Sequence, residues 1–298
     1  MNVDKIKGII VPLITPVDKD ENIDEAKLRF MIDHVIENGV HGVLLFGSNG
    51  EFFMFNEEEI MLATRIAVEH TNKRVPVYFG LGEIRTRTCM DYARKAVELG
   101  VDGVSILQPM FVKPTEEELY NHFSSVALAV PETPVLLYNN PGKSGYPMSY
   151  DLVERLANDI DNIVGMKDSS GDMTHLFEFI RRTEHLDFKV LVGKDTLIYP
   201  ALCIGAAGAV CSTANMLGTL VTGIYTKYVE GNYKESLADQ FKLNPVRLAQ
   251  EQVTFPAATK DMANLLGLDV GDSIRPVQGS TGVKLANMEQ ALKDADLL

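Results

Sequence analysis

The chain has 298 residues, 46% hydrophobic and 23% charged, and its 28 basic against 41 acidic side chains give a formal charge of −13. That is ample apolar material for a core, and the length suits two domains or a single α/β barrel of about 250 residues with an extension. A field this acidic argues against nucleic acid and anionic membranes as partners, and no apolar run approaches the ~20 residues of a membrane span.

The N-terminus, Met1 to Lys5, has no apolar region behind it and so no signal-peptide pattern. The cysteines are Cys89, Cys203 and Cys211. They form neither a zinc pattern nor a disulfide framework, which fits a reducing cytoplasm. Cys203 and Cys211 lie in apolar runs and are expected as small core residues.

Strand and helix alternate from the start. Gly8 to Thr15 reads as a strand in which Pro12 forces a bulge or an early end. Asp24 caps a helix running to about Asn38, closed by Gly39. Val40 to Phe46 is the second strand, and Asn56 caps the helix Glu57 to His70, with acidic residues where the helix dipole favours them. Strand Val75 to Leu81 leads to helix Thr86 to Leu99, and strand Gly103 to Leu107 leads to a helix opened by a Thr115/Glu118 capping box.

Strand Val135 to Tyr138 precedes a helix opened by Ser149, and strand Ile163 to Lys167 precedes one opened by Asp172. Lys189 to Gly193 is followed by a short helix through Tyr199, and Ala207 to Cys211 by a helix from Leu217 to Val229. Eight such units predict a (β/α)8 TIM barrel over residues 1–230, with an open doubly wound sheet as the alternative. Residues 231–298, including helices Glu235 to Glu251 and Ala257 to Leu266, are expected to be a C-terminal helical extension packed on the barrel.

In such a barrel the active site lies at the C-terminal ends of the strands. The sixth strand, Ile163-Val164-Gly165-Met166, stops on Lys167. A lysine there is costly if it stays charged and unpaired, and a neutral amine is a nucleophile toward carbonyls. Lys167 is therefore a Schiff-base lysine or a lysine that reaches solvent. Tyr138, at the fifth strand's end, is a proton shuttle or a core tyrosine with a satisfied hydroxyl.

Gly47-Ser48-Asn49-Gly50 is a tight turn or a nest of backbone amides for a carboxylate. Asp168 reads as a solvated loop or cap carboxylate. Lys143, Asp195, Thr196 and Ser212 complete the polar set. The six histidines have no metal-ligand spacing, and neither a nucleophile elbow nor a P-loop is present.

With these residues in place the chain resembles the dihydrodipicolinate synthase/N-acetylneuraminate lyase family of pyruvate-dependent aldolases. Gly47-Ser48-Asn49-Gly50-Glu51 is similar to its Gly-(Ser/Thr)-Thr-Gly-Glu loop, Tyr138-Asn139-Asn140-Pro141 to its Tyr-Asn-x-Pro motif, and Gly165 to Asp172 to its Schiff-base segment. The resemblance implies that Lys167 forms an imine with pyruvate or another 2-keto acid and that Tyr138 shuttles the proton. It implies that Ser48 and the Ser48 and Asn49 amides hold the carboxylate, and that Val210 contributes its backbone carbonyl. Neither metal nor organic cofactor is implied. A homo-oligomer is, usually a tetramer built as a dimer of dimers.

Three departures bear on the substrate. Phe111 stands where the synthases carry a tyrosine reached across the tight dimer, so a tyrosine–threonine–tyrosine relay would lack a hydroxyl. Lys143 stands for an arginine, keeping the charge without the fork. Thr196 stands where sialic-acid lyases place an acid. The reading is a class I aldolase or lyase on a 2-keto-3-deoxy sugar acid, its tail bound by Lys143, Asp195, Thr196 and Ser212. The alternatives are 4-hydroxy-tetrahydrodipicolinate synthase, N-acetylneuraminate lyase, a dehydratase or deaminase using the same imine, and a non-catalytic keto-acid-binding protein.

Overall fold

The computed structural model describes residues 3–298. Its parallel strands close into a barrel in chain order, β1 to β8. They are β1 Gly8–Pro12, β2 Gly42–Leu45, β3 Val77–Leu81, β4 Gly103–Leu107, β5 Val135–Asn139, β6 Ile163–Asp168, β7 Lys189–Val192 and β8 Gly208–Val210. Around them run α1 Glu25–Glu37, α2 Glu57–Thr71, α3 Thr86–Glu98, α4 Glu116–Leu128, α5 Pro141–Ser144, α6 Tyr150–Asp159, α7 Met173–Thr183, α8 Ile198–Cys203 and α9 Gly218–Val229. The extension is α10 Tyr233–Glu251, α11 Ala257–Leu265 and α12 Gly282–Asp294.

The strands are mainly apolar because both faces are covered, with Asn139, Lys167 and Asp168 at the C-terminal ends of β5 and β6. Ile10, Leu44, Tyr78, Leu136, Leu191 and Val210 point inward and fill the barrel. Their neighbours Ile9, Val11, Val43, Leu45, Leu137, Val190 and Val192 point outward beneath the helices. Each such side chain contributes roughly 1.5–3 kcal/mol on burial, so the barrel is a packed core and only its rims are left for polar chemistry.

The expected caps form. Asp24 accepts from the Lys27 amide at 3.0 Å, and Asn56 with Glu59 and Thr115 with Glu118 make reciprocal capping boxes. Pro12 ends β1 early. β2 is shorter than its apolar run because Phe46 turns the chain at φ 49°. The four-residue α5 at the exit of β5 was not expected from the sequence. Cys211 is buried as expected, whereas Cys203 is exposed on the last turn of α8; an apolar run reports a helix but not which residue on it faces out.

Two glycines make room at the sixth strand. At Gly165 a Cβ would meet the Lys189 carbonyl oxygen at 2.5 Å, and at Gly193 it would lie 2.8 Å from Lys167 Cε. Gly165 thus lets β6 pack against the backbone of β7, and Gly193 leaves room for the Lys167 side chain.

Candidate active site

Tyr138 and Lys167 are register partners on β5 and β6. Partners in a parallel pair point to the same face, so both side chains enter the barrel mouth. Lys167 is 6% exposed, and its ammonium lies 4.2 Å from the Tyr138 ring centroid. Burial alone would raise the Tyr138 phenol. The adjacent Lys167 charge, with hydrogen bonds from Ser169, Lys167 and Ser48, outweighs burial and holds it below the ordinary tyrosine value. A phenol so biased is suited to exchanging protons beside an amine.

Asn140, not singled out from the sequence, donates through Nδ2 to the Tyr138 hydroxyl at 2.9 Å. Its own amide is fixed by Gln108, a buried residue at the end of β4, at 3.0 Å. Asp168 differs from its expected solvated role. It is 2% exposed, accepts from Asn139 Nδ2 at 2.6 Å and accepts from the Ser170 hydroxyl at 2.6 Å. Burial pushes its carboxyl up, partly offset by these donors. Its side chain points away from Lys167, as strand alternation requires, and it clamps β5 to β6.

Ser48, Asn49 and Gly50 form one 3-10 turn after β2. The amides of Ser48 and Asn49 open that turn, where a helix offers donors it cannot satisfy itself. The extension holds the turn from outside the barrel. Thr259 donates to Asn49 Oδ1 at 2.9 Å, and Gln250 donates to Thr259 at 2.8 Å. Glu51, fully buried at φ 53°, pairs with Lys260 at 2.6 Å and accepts from the Ile274 amide at 3.1 Å.

Removing one member of such a pair strands the other charge. Lys260→Met is expected to destabilise the fold by about 3–5 kcal/mol. Adding Glu51→Gln should recover part of that loss. Urea unfolding of the single and double variants checks both, and a single variant as stable as the parent would show that the pair contributes nothing.

Lys167 and Tyr138 open into a cavity of about 410 Å³. Of the residues expected at the site, Ser48, Asn49, Val210, Lys143, Asp195 and Ser212 line it as well. Thr196 does not. Phe111 is not brought there either; it is 98% exposed, at φ 68°, on the loop after β4. Asp195 is less available than expected, since its Oδ2 already accepts from the Thr213 amide and hydroxyl at 2.8 and 2.7 Å and from Ser212 at 3.2 Å.

The remaining wall comes from the extension, through Arg247, Gln250, Glu251, Val253, Phe255 and Ala258. The sequence carried no local signal for that, because these residues look like an ordinary helix and loop. Lys143 rests its ammonium 4.7 Å from the Phe255 ring centroid. Three larger cavities, about 740, 730 and 440 Å³, lie elsewhere and contain neither Lys167 nor Tyr138, so size does not single out the cavity at this pair.

Comparison with known proteins agrees along nearly the whole length. Residues 5–295 match the Dihydrodipicolinate synthetase family. The 4-hydroxy-tetrahydrodipicolinate synthase of Oceanobacillus iheyensis is 33% identical over 286 residues, 96% of each chain. That of Bacillus subtilis is 34% identical over 270 residues, 91% of this chain and 92% of the relative. Among solved structures, YagE from E. coli K12, a prophage protein of the same family in complex with pyruvate, superposes with a TM-score of 0.94 at 28% identity, covering 98% of this chain and 99% of that one.

Proposed function

The chain belongs to the Dihydrodipicolinate synthetase family, whose members are class I pyruvate-dependent lyases, and from that premise we propose that Lys167 carries the imine and acts on a 2-keto-3-deoxy sugar acid. The Lys167 amine attacks the keto carbon, and the carbonyl oxygen leaves as water. In cleavage, the hydroxyl on the fourth carbon loses its proton, the bond between the third and fourth carbons breaks, and its electron pair moves into the imine to give an enamine. The aldehyde departs, the enamine is protonated on the third carbon, and water releases pyruvate.

Tyr138 carries the proton in and out, with Asn140 holding its hydroxyl. Ser48 and the amides of Ser48 and Asn49 hold the carboxylate, and Val210 contributes its carbonyl. The protonated imine is itself the electron sink, so no step needs a metal or organic cofactor.

The observation that carries this reading is the Lys167–Tyr138 pair opening into one cavity with hydroxyl, amide and charged side chains. Ser212, Lys143 and Asp195 would contact the tail. Thr196 lies outside the cavity lining and is left out of that set. A second reading, 4-hydroxy-tetrahydrodipicolinate synthase, is favoured by relatives of that name at 33–34% identity. Phe111 and Lys143 count against it, for the lost hydroxyl and the lost fork.

We propose a cytoplasmic homo-oligomer, a tetramer built as a dimer of dimers. The outward Phe111 supports a partner on that face. A solved family member is described as a monomeric variant, so sedimentation is the direct test.

Borohydride trapping with pyruvate, followed by peptide mass spectrometry, tests the imine. A pyruvate-sized adduct on Lys167 is expected, together with cleavage of 2-keto-3-deoxy sugar acids. No detectable cleavage, alongside efficient condensation of pyruvate with aspartate semialdehyde, would replace the first reading by the second.

A further inference from the structure

A ladder of alternating charges runs along the extension side of the cavity, and nothing in the imine chemistry uses it. Glu251, the last residue of α10, accepts from Lys194 Nζ at 2.9 Å and pairs with Arg247 Nη2 at 3.2 Å, both through Oε1. Arg247 Nε lies 3.7 Å from Asp195 Oδ1. Lys194, Glu251, Arg247 and Asp195 all line the cavity that holds Lys167. Exposure falls along the ladder, from 34% at Lys194 and Glu251 to 15% at Arg247 and 2% at Asp195, so its inner end is the less screened by water.

The balance of charge decides what such a wall accepts. Without Glu251, Lys194 and Arg247 would join Lys143 as cations of the cavity against one buried carboxylate, a ready site for an anionic tail. With Glu251 the ladder is neutral, two cations against two anions. It then offers donors and a carboxylate acceptor, as hydroxyl groups require, and a second carboxylate entering beside Glu251 is repelled.

We propose that Glu251 is a specificity-determining residue, making the cavity select 2-keto acids with an uncharged hydroxylated tail over 2-keto diacids. This rests on the sugar-acid reading above and adds the residue that enforces it. The signal is tertiary, since Lys194 follows β7 while Arg247 and Glu251 sit one turn apart on α10.

The test reads binding through imine trapping, which does not depend on turnover. For the parent, Glu251→Gln and Glu251→Ala, the concentration giving half-maximal borohydride trapping of Lys167 is measured with 2-oxoglutarate and with 2-keto-3-deoxygluconate, each normalised to pyruvate. Both variants are expected to shift the ratio toward 2-oxoglutarate by about 10- to 100-fold, the range a pocket gains or loses through a single interaction. An unchanged ratio overturns the assignment. So does loss of pyruvate trapping in both variants, which would make Glu251 a support of the fold. A parent that forms adducts but cleaves no sugar acid refutes the earlier reading alone, because the Glu251 assignment stands on the change between parent and variant.

Discussion

Lys167→Ala is expected to abolish turnover, lowering kcat/KM by at least about 10⁴-fold, the scale of losing a covalent nucleophile. The amine is the only group in the proposed mechanism that bonds to substrate, and Lys143, a second lysine of the cavity, rests its amine on the Phe255 ring instead. Asp168, its chain neighbour, points to the other face and is committed to Asn139 and Ser170. Lys194 also lines the cavity, but its amine is held by Glu251. The fold should survive, because Lys167 sits at the mouth above an apolar interior that does not depend on it. Circular dichroism and thermal melting verify the fold, steady-state assays read the loss, and borohydride should leave no adduct. Retained activity would end the imine mechanism for this chain.

Tyr138→Phe is expected to lower kcat by about 10²- to 10⁴-fold, the usual worth of a positioned acid–base group, while the pyruvate adduct still forms. The ring would remain to pack against the Lys167 amine, so what is deleted is the hydroxyl whose acidity Lys167, Ser169 and Ser48 enhance. Asn140 Nδ2 loses its acceptor, a cost of about 1 kcal/mol if water does not replace it. Single-turnover trapping separates the steps: adduct formation should change little and the following proton transfer should slow. A variant with parental kcat would remove Tyr138 from the proton path.

The Lys167–Tyr138 pair proposed as the catalytic centre is legible in the chain because it is built from local patterns. Apolar runs with turn residues between them mark strands buried on both faces, and the strand-helix period repeats around the barrel. A lysine that ends such a run, and a tyrosine that ends the run before it, 29 residues earlier (138 to 167), must meet at one rim once the barrel closes. Elementary rules of strand alternation and strand-end placement are enough for that.

What only the tertiary structure decided are the partners that meet across long stretches of chain. Asp168 looks solvated beside Ser169 and Ser170, yet folding buries it against Asn139. Asn49 and Thr259 bond across 210 residues, and Glu51 finds Lys260 in the same interface. Phe111 stands outside the cavity, and Glu251 with Arg247 stands inside it. Hydrophobic periodicity specifies which face of α10 and α11 is apolar, but not which rim of the barrel that face covers. That depends on the summed packing of a whole interface, and no residue or short motif in the chain encodes it alone.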